Sequence, residues 1–260
     1  MPVWRRSLRR PRIVLVENNS EAPETFAYYE TLPERVAAAS EGKGTARVVY
    51  WPGEFNYSQI VNFGVEHARG DYLLLLNNDT EVISSDFIEE MMGYLQRPDA
   101  GVVGAKLYFA DHLVQHAGIL VGVRGALAHA NQDFSAKREG YLARAVRPGN
   151  FSAVTGACQM VRRDVFEQVG GYNEEFAVGF NDADFCLRVW EAGYRTIYTP
   201  YAELYHYEFT SRGREEANEE KLRRWKREQA LFMQRWPEFF LTGDSWLGPN
   251  LSSDSEYFSF

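Results

Sequence analysis

Apolar and polar residues change period along this chain, and the changes mark alternating strands and helices. Ile13 to Val16 is a short apolar run that ends in Glu17-Asn18-Asn19-Ser20, as a buried strand entering a polar loop does. Pro23 to Ser40 is mostly helical and is interrupted by Pro33. Gly42 to Gly44 turns the chain into a second strand, Arg47 to Trp51. Tyr57, Ile60, Val61, Gly64, Val65 and Ala68 recur at helical spacing, and Gly70 ends that helix. Tyr72 to Leu76 is a third strand, apolar on both faces, followed directly by Asn77-Asn78-Asp79-Thr80-Glu81.

Asp86 and Glu89 have capping-box spacing before a helix whose apolar stripe is Phe87, Ile88, Met91, Met92 and Leu95; Pro98 stops it. Strand-like runs follow at Val102 to Phe109 and Ile119 to Val123, and the polar segment from Gly125 to Asn150 reads as a long loop. A strand at Ala153 to Arg162 leads into a short helix from Asp164, closed by Gly170 and Gly171. Asn181-Asp182-Ala183-Asp184 opens a further helix, with Phe185, Val189 and Trp190 inward and Gly193 at its end. Arg195 to Pro200 is the last strand, and Glu215 to Arg235 is a charged helix. Strands alternating with helices predict an α/β domain with a mostly parallel sheet and flanking helices.

The 260 residues suit one large domain, and 45% hydrophobic residues can bury a sizeable core. A net charge of −8 argues against a nucleic-acid binder. Cys158 and Cys186 make neither a disulfide framework nor a zinc pattern. Apolar runs such as Leu73 to Leu76 are far too short to span a bilayer. Arg5, Arg6, Arg9 and Arg10 form a basic tail over residues 1–11, either solvated or in peripheral contact with an anionic membrane or another chain.

Ligands of open α/β sheets collect beyond the carboxyl ends of strands. Two loops there, Glu17 to Ser20 and Asn77 to Glu81, carry carboxylates and amides. Hard oxygen donors suit Mg2+ or Mn2+ shared with phosphates. The same residues also favour turns and caps, so spacing alone leaves both readings open. Asp182 and Asp184 stand at i and i+2, diverge on a helix, and so have different jobs. Asp184 is four residues before Arg188, and His206 follows the last strand as a potential ligand.

In chain order these segments are Val-Glu-Asn-Asn-Ser, Tyr-Leu-Leu-Leu-Leu-Asn-Asn-Asp-Thr-Glu-Val, Thr-Gly-Ala-Cys-Gln-Met-Val, Val-Gly-Gly-Tyr-Asn-Glu-Glu-Phe, Asn-Asp-Ala-Asp-Phe-Cys-Leu-Arg and His206. Together they resemble the family 2 glycosyltransferases of the GT-A fold, above all bacterial members that build O-antigen or rhamnose-rich polysaccharides. The resemblance runs from about Arg12 to Gly213. It implies a tail over 1–11, a catalytic domain over 12–213 and a C-terminal helix and tail over 214–260.

The resemblance also implies roles. Glu17, with Asn18, stands where the family contacts the nucleotide base. Asn77-Asn78-Asp79 stands at the DxD motif, so Asp79 is expected to bind the donor's metal, Mn2+ or Mg2+, with Asn77 and Asn78 beside the donor. Gly156 and Ala157 match a loop that lines the donor and acceptor sugars. Asp182 matches the catalytic base, Asp184 and Arg188 match structural positions, and His206 matches a His that completes the metal site. The implied reaction is inverting transfer from a nucleotide-sugar donor to a glycan or lipid-linked glycan acceptor, in the cytoplasm at the inner face of the membrane.

One departure stands out. Family members begin with a strand and helix before the one that ends at Glu17, and about a dozen residues are too few for such a unit. The chain therefore reads as N-terminally truncated, or as a piece of a longer glycosyltransferase. A nucleotidyltransferase would carry a Gly-rich phosphate loop near the first strand, and none is seen. A metal-dependent hydrolase remains a rival. The non-catalytic alternative is a truncated or degenerate domain that binds a glycan or a partner.

Overall fold

A computed structural model describes residues 11–207 and 218–260. The arginine tail expected over 1–11 therefore lies, but for its last residue, outside the described residues, as does the boundary expected near 213. The elements are β1 (Arg12–Glu17), α1 (Pro23–Ala39), β2 (Thr45–Tyr50), α2 (Tyr57–His67), β3 (Tyr72–Leu76), β4 (Thr80–Val82) and α3 (Phe87–Leu95). Then come β5 (Ala100–Tyr108), β6 (Val114–His116), β7 (Ile119–Val121), β8 (Leu127–His129) and β9 (Gly149–Phe151). The rest are β10 (Cys158–Arg162), α4 (Arg163–Gln168), α5 (Asn181–Glu191), β11 (Arg195–His206), α6 (Glu219–Arg235) and α7 (Pro237–Thr242).

The central sheet runs β3-β10-β5-β11-β4, with β6 on β5 and β9 on β11. The expectation of a mostly parallel sheet is corrected here. In this sheet only β11 and β5 are parallel, whereas β10 runs antiparallel to both β3 and β5, and β4, β6 and β9 are antiparallel to their partners. The cause is β10, which enters the sheet from the opposite end and separates β3 from β5. Strand order is a long-range property that periodicity does not encode. β1 and β2 form a separate parallel pair, and among the described residues β1 bonds to β2 alone and β3 to β10 alone.

Residues along β5 alternate between two cores, as side chains on a pleated strand must. Val102 joins the cluster built by α2, α4 and α5, with Val65, Val165 and Phe185. Val103 joins the one built by α3, with Phe87, Met91, Met92 and Leu95. Both faces of the sheet are thus covered, which explains why β5 is buried along its whole length.

Other local readings change. Pro33 does not break α1, which runs through it. Asp86 stands at the N-cap of α3 but makes no side-chain cap bond. Trp190 is 36% exposed while Phe185 and Val189 are fully buried. The segment from Gly125 to Asn150 is not one loop, since β8 lies in it. β11 does not stop at Pro200: its register with β5 slips between Tyr198 and Glu203, and the strand goes on to His206. A proline inside a strand is tolerated at such an irregularity because no ladder donor is lost there.

Candidate active site

Strand register brings the distant segments together. Cys158 pairs with Leu76, so the turn before β10 lies beside the loop after β3, and Asn77 N–H donates to the Ala157 carbonyl at 2.9 Å. His206 pairs with Thr80, which sets it beside Asp79. The extension of β11 past Pro200 is what carries His206 that far. Thr80 Oγ1 donates to the Asn77 carbonyl at 2.8 Å and closes the turn, with Asn78 exposed at its tip.

The state of His206 follows from its neighbours. Gln115 Nε2 donates to the His206 carbonyl at 3.2 Å, which orients the amide so that Gln115 Oε1 faces His206 Nδ1 at 2.7 Å. Nδ1 is therefore engaged by Gln115, and Nε2 is the nitrogen turned toward the loop after β3. Nε2 lies 3.2 Å from Asp79 Oδ1 and 3.4 Å from Asn77 Nδ2. A carboxylate oxygen and an imidazole nitrogen that converge in this way fit a divalent cation, and the Gln115 bond is the kind that orients a ligating His. Among the described residues no group of three or more His, Cys, Asp or Glu side chains makes a metal cluster. Any further ligands would come from other donors, such as donor phosphates or water.

Asp182 lies in the first turn of α5. Its Oδ2 accepts from Gly156 N–H at 3.0 Å and its Oδ1 from Ala183 N–H at 2.8 Å. Tyr57 Oη lies 3.0 Å from the Gly156 carbonyl and 3.1 Å from Asn77 Oδ1 and links the two loops with its single proton. A continuous polar path thus joins Asp182, Gly156, Tyr57, Asn77, His206 and Asp79. Asp184 points away and is fully buried. It accepts from Arg188 at 2.8 Å, from Arg235 at 3.0 Å and from Trp236 Nε1 at 3.1 Å.

The residue before this turn, Phe180, has φ 64°, costly for a bulky side chain. Its ring is held between Trp225 and Phe232 of α6. From the same helix, buried Glu228 accepts from Ala177 N–H at 2.9 Å and Gly179 N–H at 2.8 Å. The C-terminal helix therefore sets the backbone that presents Asp182.

Glu17 and Asn18 stand apart and bond to no member of that path. Glu17 is 5% exposed and accepts from Ser20 N at 2.5 Å, Ser20 Oγ at 2.7 Å and Tyr29 Oη. Asn18 Nδ2 donates to the Gly53 carbonyl at 2.9 Å and ties the ends of β1 and β2 together. Burial pushes the Glu17 carboxyl up, but the bonds from Tyr29 and Ser20 outweigh it and hold it below its ordinary value of 4.5. A group so held adds stability above that value, and the stability is lost as pH falls through the lowered one. Glu17→Gln is expected to flatten the acid limb of the stability–pH curve, as read by urea unfolding between about pH 3 and 6. An acid limb as steep as the native one would mean that these bonds contribute nothing.

Sequence reasoning missed Tyr57, Gln115, His116, His129 and Glu228. Tyr57 was legible only as part of a helical stripe. Nothing in the sequence marks Gln115, and the two histidines lay in segments without a clear period.

The glycosyltransferase-like family 2 pattern matches residues 13–229. The chain is 38% identical over 95% of its length to the uncharacterized protein y4gI of Sinorhizobium fredii, of which it spans 26%. It is 37% identical over 77% of its length to the O-antigen biosynthesis protein RfbC of Myxococcus xanthus, of which it spans 15%. It is 28% identical over 80% of its length to the N-acetylglucosaminyl-diphospho-decaprenol L-rhamnosyltransferase of Mycobacterium tuberculosis, of which it spans 71%. The chain thus spans about a quarter and a seventh of the first two relatives.

Among solved structures it resembles GalNAc-T7 with UDP, GalNAc and Mn2+, at TM-score 0.59 and 12% identity over 90% of this chain and 50% of that one. The mannosyltransferase PcManGT of Pyrobaculum calidifontis, with GDP-Man and Mn2+, gives TM-score 0.50 and 15% identity over 80% and 59%. The fold is GT-A, a mixed sheet between helices. With most of its length matched by one family pattern, the chain belongs to the family 2 glycosyltransferases.

Proposed function

We propose that this chain moves a sugar from a nucleotide-diphosphate sugar to a hydroxyl of a growing bacterial surface polysaccharide, with inversion. The observation that carries the reading is the polar path from the Asp79–His206 pair through Asn77, Tyr57 and Gly156 to Asp182. It links a pair suited to a cation with the half-buried Asp182 carboxylate. The names of two bacterial relatives, an O-antigen biosynthesis protein and a rhamnosyltransferase, support the acceptor class.

Asp182 takes the proton from the acceptor hydroxyl as general base. The acceptor oxygen then bonds to the anomeric carbon as the bond to the diphosphate oxygen breaks, so no covalent enzyme intermediate forms. Asp79 and His206 hold Mn2+ or Mg2+, which when bound supplies Lewis-acid stabilisation to the leaving diphosphate. Asn77, Asn78, Gly156 and Ala157 line the donor, and Glu17 and Asn18 shape the loop that faces its base. With a lipid-linked acceptor the work would fall at the cytoplasmic face of the membrane, done by a domain of a longer glycosyltransferase chain. Among the described residues no helix is long and apolar enough to cross a membrane.

The test is sugar transfer by the purified chain from UDP-, dTDP- and GDP-linked donors, scored separately from donor hydrolysis. Chelation is expected to abolish transfer and added Mn2+ to restore it, whereas Asp79→Ala should stay inactive even with added Mn2+. Transfer that survives chelation would remove the metal role. Donor hydrolysis without transfer would favour the hydrolase. A second reading, a non-catalytic glycan- or partner-binding module, is favoured by one observation: β1–β2 stands apart from the central sheet. Absence of any measurable donor binding would support it.

A further inference from the structure

The end of β6 and the end of β8 bring two histidines, His116 and His129, unused by the mechanism above, to the segment beside the Asp182 turn. His116 is fully buried. Its Nε2 accepts from Gly118 N–H at 3.3 Å and from Thr155 N–H at 3.4 Å. A ring nitrogen that accepts cannot also carry a proton, so the His116 proton sits on Nδ1. That atom lies 3.1 Å from His129 Nδ1, with the rings edge to face at 5.0 Å. Two nitrogens at that distance share one proton, so His129 Nδ1 accepts and His129 carries its own proton on Nε2. Burial pushes both rings below their ordinary value. At His116 the neighbouring His129 and His206 push the same way, and at His129 the Asp182 carboxylate opposes. Neutral rings are what this bonding pattern requires.

Thr155 is one residue from Gly156, whose N–H seats Asp182 Oδ2 and whose carbonyl faces Tyr57 Oη. Gly118, the other donor to His116, has φ +100°, and a Cβ there would fall 2.5 Å from the Phe151 ring. The turn that offers this N–H therefore packs its backbone directly against the Phe151 ring and admits only glycine there. We infer that His116, locked in its Nδ1–H form by His129, is a positioning residue that keeps the 155–156 turn seated under the Asp182 carboxylate. The inference rests on the reading of Asp182 as general base, and its test separates the two.

His116→Gln places an amide oxygen near the Nε2 acceptor position. His116→Asn restores only a donor near Nδ1 and leaves Thr155 N–H without its acceptor. His116→Asn is expected to lose about 10- to 100-fold in kcat, with the donor KM within about twofold, whereas His116→Gln stays within about threefold of native. Equal loss in both variants would overturn the assignment. Two readouts do not involve catalysis. Long-range proton–nitrogen NMR of the native protein at about pH 7 should show His116 protonated on Nδ1 and His129 on Nε2. A proton on His116 Nε2 would overturn the lock, even if the Asn variant fails to fold. Amide exchange at Thr155 and Gly156 should quicken at least about tenfold in the Asn variant and not in the Gln variant. If exchange follows that pattern while Asp182→Asn stays active, the seat stands and the base assignment falls. If exchange is unchanged, the positioning role itself falls.

Discussion

Asp182→Asn is expected to cut kcat by about 10³-fold, within the range that a positioned general base contributes. The amide cannot take the acceptor proton. It also presents one acceptor where the carboxylate presents two, so either Gly156 N–H or Ala183 N–H loses its partner. Donor affinity should hold, because the cation-type pair of Asp79 and His206 belongs to another loop and another strand. The informative measurement is single-turnover transfer alongside donor binding. Near-native turnover would remove Asp182 from the chemistry. Joint loss of turnover and binding would mean that the amide unseats the turn and that the base role must be tested another way.

The second large effect is on stability. Asp184 holds Arg188, Arg235 and the Trp236 indole around a carboxylate with no exposure to water. Asp184→Ala leaves three donors without that partner, two of them charged, and breaking such a buried pair costs about 3 to 5 kcal/mol. Arg235 is 42% exposed on its side chain and recovers part of its bonding from water, so the lower figure is expected. For a chain of this size that corresponds to a melting point lower by about 6 to 12 °C. Activity should fall with it, because Arg235 and Trp236 close the end of α6, and α6 holds the backbone before Asp182 through Glu228 and the Phe180 pocket. A variant that melts like the native protein but has lost transfer would move Asp184 from scaffold to chemistry.

These two carboxylates show how much the sequence disclosed. Their separation by two residues at a helix start already required them to diverge, and Arg188 four residues on marked the structural one. That is local information, and helix geometry converts it directly. Arg235 and Trp236 converge on the same carboxylate from the far end of the chain, and no local pattern foretells that. The same contrast runs through the sheet. Each strand's apolar run was readable, yet the antiparallel place of β10 between β3 and β5 was not, because partners are chosen by tertiary packing. The Asn77–Asp79 loop was legible as a polar sequence after a buried strand. Gln115 was not, since its role depends on meeting His206 across the fold, where it turns Nε2 toward Asp79.

The separate β1–β2 pair has a colloidal consequence. Among the described residues, one edge of β1 and one edge of β3 carry backbone donors and acceptors that no neighbouring strand uses. The sequence of β1 is rich in Ile, Val and Leu, and Ile13 is 42% exposed. Such an edge accepts a strand from any other chain that offers one. Arg12 and Glu17, at its two ends, are the only charges along it. That short, weakly guarded edge is therefore the expected place for chain-to-chain strand pairing when this chain is concentrated.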